Sequence, residues 1–241
     1  MTLSAEVQAY VDRQPRFAGR RHFLRRLIRI VLFRLLLKVT VTGVENVPAE
    51  GPAILVANHT SLLDPVLAIG AVTNRFVIPM TKVENLKNPL LAPFIYLWGA
   101  YSVNRGEVDR KALVSSIELV KNGQFIMIAP EGTRRRALSQ PKDGLAYVAT
   151  KADAWIVPMG ISGAENWQRE LFKLRRPRVR IHFGRPFRLK TGGEKRIPRE
   201  TLSAMMEEVM YQLALAIPDP ALRGVYQNVE RATTNHLEFL A

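Results

Sequence analysis

The hydrophobic positions of this 241-residue chain form short apolar runs that alternate with longer segments of helical periodicity. The two clearest runs, 53–57 and 125–129, are uniformly apolar and are followed by polar turn residues. Such runs are typical of strands buried on both faces. The whole pattern predicts strands near 39–42, 53–57, 75–80, 100–103, 125–129, 155–161 and 178–184, and helices near 19–37, 64–73, 88–97, 109–122, 144–152 and 199–217, with a weaker helix in the tail.

The alternation of strands and helices predicts an α/β fold, in which a mixed, largely parallel sheet is flanked by helices. Two seams divide the chain, at Thr42-Gly43 and at Pro218-Asp219. We therefore expect an N-terminal basic amphipathic segment at 1–42, a central domain at 43–218 and a C-terminal tail at 219–241. No repeat or low-complexity tract indicates a second folded domain.

Charge is concentrated in two segments of the chain. The net charge is +14; residues 13–44 hold nine basic residues and no acidic one, and residues 169–196 hold eleven basic and two acidic residues. These segments carry +9 each, so the rest of the chain carries 14 − 18 = −4. Two basic patches on a mildly acidic body favour anionic partners.

The first basic patch is interleaved with apolar residues. On a helical wheel, one side holds Phe23, Leu24, Leu27, Ile28, Ile30 and Val31, and the other holds Arg21, His22, Arg25, Arg26 and Arg29. This pattern predicts a helix in a membrane interface with its arginines toward anionic headgroups. The alternative is an amphipathic helix packed on the domain. Charges within every long window argue against a transmembrane span and against a cleaved signal peptide.

A second apolar segment, 88–104, contains no charged residue. Pro89 and Pro93 limit it to a short helix. Its pattern fits either a membrane-facing helix or a buried core helix.

Two polar islands follow the clearest strands. Asn58-His59 and Asp64 follow the run 53–57, and Pro130 to Arg134 follow the run 125–129. His59 supplies a base with a carboxylate nearby, and Arg134 supplies a cation at a glycine turn. Asp64 precedes Pro65, so the alternative for this aspartate is a helix N-cap. The islands predict chemistry on an anionic substrate at the strand ends.

Other chemistries lack the residues that they need. The chain has no cysteine, which excludes thiol nucleophiles and disulfides. Ser61 lacks a nucleophile-elbow motif, so a turn role is favoured. No metal-binding, P-loop or dinucleotide motif is present, so we expect neither a metal nor a cofactor.

Four motifs follow one another along the chain: Asn58-His59 with Asp64, Asn104-Arg105-Gly106, Pro130 to Arg134, and Val157 to Gly160. Their order and spacing resemble the glycerolipid acyltransferase superfamily, in its 1-acyl-sn-glycerol-3-phosphate (lysophosphatidic acid) acyltransferase branch. The similar stretch runs from about Val39 to Phe187. Ala129, where the family usually has an aromatic residue, and Arg135-Arg136 depart from the pattern. The resemblance implies that His59 is the general base and that Asp64 orients it.

The resemblance also implies how the substrate is held. Arg105, Arg134 and Lys82, which each follow a predicted strand, would bind the acceptor phosphate. The remaining motif residues would support the site: Asn58, Glu131, Gly132 and Thr133. The reaction would be direct acyl transfer to the 2-hydroxyl of lysophosphatidic acid, forming phosphatidic acid, with acyl-CoA or acyl-carrier protein as the co-substrate.

The expected partners are lysophosphatidic acid, the acyl donor and an anionic membrane surface, and not nucleic acid. The expected location is peripheral or monotopic, on the cytoplasmic face of the membrane. One alternative is the same chemistry on another lyso-lipid or a glycolipid. Another is a non-catalytic basic protein that binds membrane or nucleic acid, which the sequence pI of about 10.5 permits.

Overall fold

The computed structural model describes residues 4–89, 91–103, 110–142, 144–194 and 196–240. Within these residues nine strands form one sheet: β1 (Lys38–Thr42), β2 (Ala53–Ala57), β3 (Val77–Lys82), β4 (Tyr101–Val103), β5 (Phe125–Ile128), β6 (Trp155–Ser162), β7 (Arg178–Phe183), β8 (Phe187–Leu189) and β9 (Leu237–Phe239). The α-helices are α1 (Ala5–Arg13), α2 (Ala18–Ile28), α3 (Asp64–Ala71), α4 (Ala92–Trp98), α5 (Arg110–Lys121), α6 (Gly144–Ala152), α7 (Trp167–Phe172) and α8 (Arg199–Ala216).

The sheet has the strand order β1-β7-β6-β2-β5-β3-β4, and β8 and β9 extend it beside β6. The five strands from β6 to β4 are mutually parallel. β7 is antiparallel to β6 and parallel to β1, while β8 and β9 pair antiparallel. The predicted mixed, largely parallel sheet is therefore confirmed. The five parallel strands all end at one edge, here called the carboxyl edge, and β1 and β7 begin there.

Helices cover both faces of the sheet because the central strands are apolar on both faces. Along β2, Ile54 and Val56 lie in one core cluster, and Ala53, Leu55 and Ala57 lie in the other. The first cluster includes buried residues of α5, α6 and α8, and the second includes buried residues of α3. A uniformly buried strand of this kind can alternate side chains into two cores.

The short elements are those that the sequence pattern misses. α1, α7, β8 and β9 were not predicted, and β3 lies at Val77–Lys82 instead of 75–80. The predicted tail helix is wrong: the described tail residues form three 3₁₀ turns and β9. β1 and β9 both belong to the main sheet, although their residues lie in the predicted N-terminal segment and tail. Three-residue strands are stabilised by pairing, which leaves little local periodicity.

The N-terminal segment is helical, but its inward and outward faces differ from the prediction. α2 continues as a π-helical segment (Arg29–Leu36). Arg21 is 2% exposed and donates to the carbonyl oxygen of Trp98 at 2.7 Å, at the end of α4. Arg25 and Arg29 donate to carbonyl oxygens at the end of α3. Arg21 and Arg25 turn toward the protein because carbonyl groups at helix ends need donors, and Arg29 makes its bond from a residue that stays exposed.

The outward face of this segment carries apolar side chains beside exposed basic ones such as Arg26. Phe23, Leu27 and Ile30 are exposed, and they recur at the helical spacing of three and four residues. Leu24 and Ile28, predicted on the same outward face, pack in a small core cluster with Trp98. The segment is thus both packed on the domain and apolar toward solvent.

α4 likewise has two faces. Trp98 is buried and its indole N–H donates to the carbonyl oxygen of Val77 at 2.8 Å, whereas Tyr96 and Leu97 are exposed. The core interpretation therefore holds for one face of α4, and the membrane-facing interpretation of the exposed face stays a prediction. Among the residues that the structure describes, no helix combines the length and the apolar character needed to cross a membrane.

Candidate active site

His59 and Asp64 form the centre of the site at the carboxyl edge. His59 follows the end of β2, and its Nδ1 lies 2.9 Å from Oδ2 of Asp64. The His59 side chain is 21% exposed and that of Asp64 is fully buried. A carboxylate oxygen accepts, so Nδ1 carries a proton, and in the neutral imidazole the lone pair then lies on Nε2. The imidazole therefore has the tautomer that a general base requires.

Asp64 is held by the loop before α3 and does not cap that helix. Its Oδ2 also accepts from the backbone N–H groups of Thr60 and Ser61, both at 2.7 Å. α3 begins at Asp64 itself, with Leu63 in the capping position. The N-cap alternative is therefore wrong, because the carboxylate bonds residues upstream of the helix. Ser61 accepts from the N–H of Leu63, as expected of a turn residue.

Asn58 joins the end of β2 to β6. Its side-chain nitrogen donates to the carbonyl oxygen of Ile161 at 2.9 Å, and its Oδ1 accepts from the N–H of Ile161 at 2.8 Å. The side chain is buried, at 1% exposure. Both bonds are made by the residue directly before His59. Asn58 therefore fixes the backbone from which the imidazole projects.

The second polar island forms a turn after β5. Gly132 has φ of +71°, a conformation that glycine adopts without strain, and its N–H donates to the carbonyl oxygen of Ala129 at 3.0 Å. Glu131 is buried, and one carboxylate oxygen accepts from the N–H of Ser139 at 3.1 Å. Burial raises the pKa of Glu131, and the backbone N–H groups of Ser139 and His59 partly oppose this. The buried Glu131 thus stabilises the turn through its hydrogen bond with Ser139.

The two islands meet at a cleft. The backbone N–H of Arg135 donates to the carbonyl oxygen of His59 at 2.9 Å. The cleft has a volume of about 560 Å³ and is lined by Thr60, Arg134, Arg135, Arg136, Glu165 and Asn166. Arg134 is exposed, and Thr133 beside it is exposed too. An open cleft lined by several arginines next to a histidine suits a substrate with an anionic group.

The structure gives less information on the other two predicted phosphate ligands, Lys82 and Arg105. Lys82 is the last residue of β3, in register with Val103 of β4, so its backbone lies at the carboxyl edge. Arg105 lies outside the described residues. Phosphate binding by these two residues remains a prediction.

The sequence interpretation missed several residues of the cleft. Glu165 and Asn166 follow the end of β6, and Glu165 accepts from the N–H of Gly163 at 3.1 Å. Thr60 also lines the cleft, and its buried Oγ1 has no hydrogen-bond partner within the described ranges. The signal for all three was their position after a parallel strand, which is where α/β sites form. No group of metal-ligating side chains occurs among the residues described.

Comparison with known proteins defines the class of this chain. The family model named Acyltransferase matches residues 38–162. This range contains His59, Asp64 and the turn around Gly132. The chain therefore belongs to the acyltransferase family, as its motifs predicted.

Individual relatives carry more specific names. The 1-acyl-sn-glycerol-3-phosphate acyltransferase of Borreliella burgdorferi is 31% identical over 60% of this chain and 59% of that protein. A protein of the same name from Bacillus subtilis is 28% identical over 70% of this chain and 83% of that one. The crystal structure of the 1-acyl-sn-glycerophosphate (LPA) acyltransferase from Thermotoga maritima superposes with a TM-score of 0.57 at 27% identity, covering 78% and 76% of the two chains.

The matches are shorter than several of these relatives. The chain spans 59% of the Borreliella protein, and 49% of a 1-acyl-sn-glycerol-3-phosphate acyltransferase from Chlamydomonas reinhardtii. The match to the Thermotoga structure confirms the α/β fold.

Proposed function

We propose that this protein transfers a fatty acyl group from a thioester donor to the 2-hydroxyl of 1-acyl-sn-glycerol-3-phosphate, forming phosphatidic acid. The observation that carries this proposal is the 2.9 Å contact between His59 and Asp64 beside a cleft lined by Arg134. The names of the similar proteins support the same acceptor.

In the proposed reaction, Nε2 of His59 takes the proton of the acceptor hydroxyl as its oxygen attacks the thioester carbonyl carbon. The tetrahedral intermediate collapses, the C–S bond breaks, and the imidazolium returns the proton to the leaving thiolate. Asp64 stabilises the transient imidazolium, since its Oδ2 lies at Nδ1. The reaction needs no acyl-enzyme, which agrees with the absence of cysteine.

Arg134 is proposed to bind the acceptor phosphate, together with Arg105 and Lys82. A fixed guanidinium can form two parallel hydrogen bonds to a phosphate. Thr133 and Gly132 shape the turn that presents Arg134, and Glu131 holds that turn from below. Acyl-CoA and acyl-carrier protein are both candidate donors, because either supplies a thioester. The proposed location is the cytoplasmic face of a membrane, where the lipid acceptor resides.

The test is an assay of the purified protein with radiolabelled lysophosphatidic acid and with each donor in turn. His59→Ala should lower turnover at least about 10²-fold, because the base is lost, with an unchanged circular dichroism spectrum. A panel of lyso-lipids and glycolipid acceptors, run in parallel, identifies the preferred acceptor. Activity of His59→Ala within a few-fold of the parent would contradict the role of this histidine, and transfer only to a phosphate-free acceptor would contradict the proposed substrate.

A further inference from the structure

The most exposed large apolar side chains lie together at the end of α7. Within the described part of the chain, Leu174 is 96% exposed and Phe172 is 89% exposed, more than any other large hydrophobic residue. Residues 172–176, here called the α7 tip, are all exposed. Leaving two such side chains in water is unfavourable, because the free energy falls when apolar surface leaves water.

The backbone of the α7 tip makes the choice of leucine unusual. The helix ends in a Schellman arrangement: Leu174 N–H donates to the carbonyl oxygen of Leu171 at 2.9 Å, and Arg175 N–H donates to that of Glu170 at 2.9 Å. Leu174 occupies the left-handed position of this motif, with φ of +55°. Glycine or asparagine fits that position better, because neither strains there as leucine does. Folding therefore does not explain an exposed leucine here.

The surroundings of the α7 tip are strongly basic. Residues 169–196 hold eleven basic and two acidic residues. Within the tip itself, Lys173, Arg175 and Arg176 alternate with the two apolar side chains. Apolar residues that enter a bilayer together with cations at headgroup level are the combination that anionic lipid surfaces bind.

The α7 tip is joined to the end of the π-helical segment. The guanidinium of Arg176 donates to the carbonyl oxygen of Leu37 at 2.8 Å and also to that of Arg34. The N–H of Lys38 donates to the carbonyl oxygen of Pro177 at 2.8 Å. Leu35, in the same segment, is exposed. The tip is therefore continuous with the outward apolar side of the N-terminal helices.

The α7 tip also lies near the candidate active site. α7 starts after Asn166, which lines the cleft with Arg134, and its six residues span roughly 9 Å. β1 and β7 both begin at the carboxyl edge, where His59 lies. An element placed here would seat the mouth of the cleft against a lipid surface.

We infer that the α7 tip is a membrane-insertion element, in which Phe172 and Leu174 enter the acyl-chain boundary of an anionic bilayer and the adjacent cations bind lipid headgroups. It would act in addition to the predicted interfacial face formed by Phe23, Leu27 and Ile30. The inference extends the proposed function. It rests on that function only in one respect, namely that insertion would bring a lipid acceptor to the cleft.

Because the chain has no cysteine, a single introduced cysteine can be labelled specifically. Leu174→Cys, labelled with an environment-sensitive fluorophore, should shift its emission to the blue on vesicles of phosphatidylglycerol and phosphatidylcholine. Nitroxide lipids labelled along the acyl chain should quench it. Lys121→Cys is the control, since it lies at the exposed end of α5 beside the start of β5, at the opposite edge of the sheet. A label at position 174 that stays in water while the protein sediments with vesicles would overturn the inference.

A binding experiment separates insertion from folding. Phe172→Ser combined with Leu174→Asn should lower affinity for the same vesicles at least about 10-fold, and the loss should persist at high salt because apolar burial is not screened. The melting temperature should stay equal or rise, since asparagine suits the left-handed position. Val114→Ser, on α5, removes another exposed apolar side chain and should leave binding unchanged. Unaltered vesicle affinity of the double variant would contradict the inference.

Two further outcomes keep this inference separate from the proposed function. The double variant should retain parental turnover on monomeric short-chain substrates, because the cleft is intact. If the protein shows no acyl transfer and the label still enters the bilayer, the proposed function fails and the insertion element stands. If acidic acyl-carrier protein shifts the label and vesicles do not, the tip is a protein-docking surface and the lipid assignment is overturned.

Discussion

The side chain of Asn58 pairs with both backbone polar groups of Ile161, which lies 103 residues later in the chain. This pairing replaces a backbone ladder where β2 ends and β6 continues. It holds the loop that carries His59 at a fixed distance from its neighbour strand. We propose that Asn58 positions His59, acting through the backbone of the histidine.

Asn58→Ala is expected to lower kcat about 10-fold or more with little change in KM, because the imidazole loses its position while the cleft remains. Unpairing two buried backbone groups should also lower the free energy of unfolding by about 1–3 kcal/mol. Steady-state kinetics and urea unfolding check the two effects. Asn74→Ala is the matched control, since Asn74 bonds the carbonyl oxygen of Val47 away from the cleft. Equal kinetic losses in both variants would assign Asn58 a purely structural role.

Arg134→Ala should lower kcat/KM for lysophosphatidic acid, because a charged and bidentate contact is lost. The loss should correspond to roughly 2–4 kcal/mol of transition-state stabilisation. An acceptor without phosphate, if the protein accepts one, should be affected much less. Competition kinetics with both acceptors measure the difference. An equal loss for both would show that Arg134 maintains the turn and does not bind phosphate.

Arg21→Met should lower the free energy of unfolding by about 3 kcal/mol. Arg21 is buried, and its loss would leave the carbonyl oxygen of Trp98 without this donor, whereas that of Gly99 keeps the hydroxyl of Tyr10. Arg26→Met, on the exposed side of the same helix, should change stability by no more than about 0.5 kcal/mol. Thermal and denaturant unfolding of the two variants check this. Similar stability of both would mean that the arginines of α2 face solvent alike.

Glu131 should make stability depend on pH. Burial raises the pKa of Glu131 above its unfolded value, so the folded state binds the proton more tightly. This contribution to stability is present below the ordinary carboxyl pKa and is lost as pH rises through the raised value. Glu131→Gln cannot ionise, so its stability relative to the parent should increase as the pH rises from the ordinary carboxyl pKa through the raised value. Denaturant unfolding of both proteins across this range measures the difference, and a constant offset would contradict the prediction.

Much of the fold was predictable because the central strands are continuous apolar runs. β2, β5 and β6 lie within a residue or two of their predicted positions. α7 was not predictable, because six residues carry too little periodicity to identify a helix. β9 is stabilised by pairing with β8, a contact that one strand's own sequence does not encode.

The site was predictable to the extent that its parts follow strand ends. His59 and Asp64 were expected to meet, since a loop between them allows it, and they do so at 2.9 Å. The inward direction of Arg21 was not predictable. A helical wheel separates two faces but does not record that the ends of α3 and α4 present carbonyl groups to one of them. The bond from Arg135 to His59 joins distant loops and was likewise not visible in the sequence.

The hydrogen bonds from Arg176 to the residues before β1 have a consequence for how firmly the protein can hold a surface. They tie the α7 tip to the helical segment that carries the exposed residues Phe23, Leu27 and Ile30. Once one element touches a bilayer, the other is already at a high local concentration above it, so the two affinities multiply. Each contact can then be weak and quickly reversible, while two contacts together restrict rotation about the membrane normal. A protein attached in this way can scan a bilayer laterally without tumbling its cleft away from the lipid.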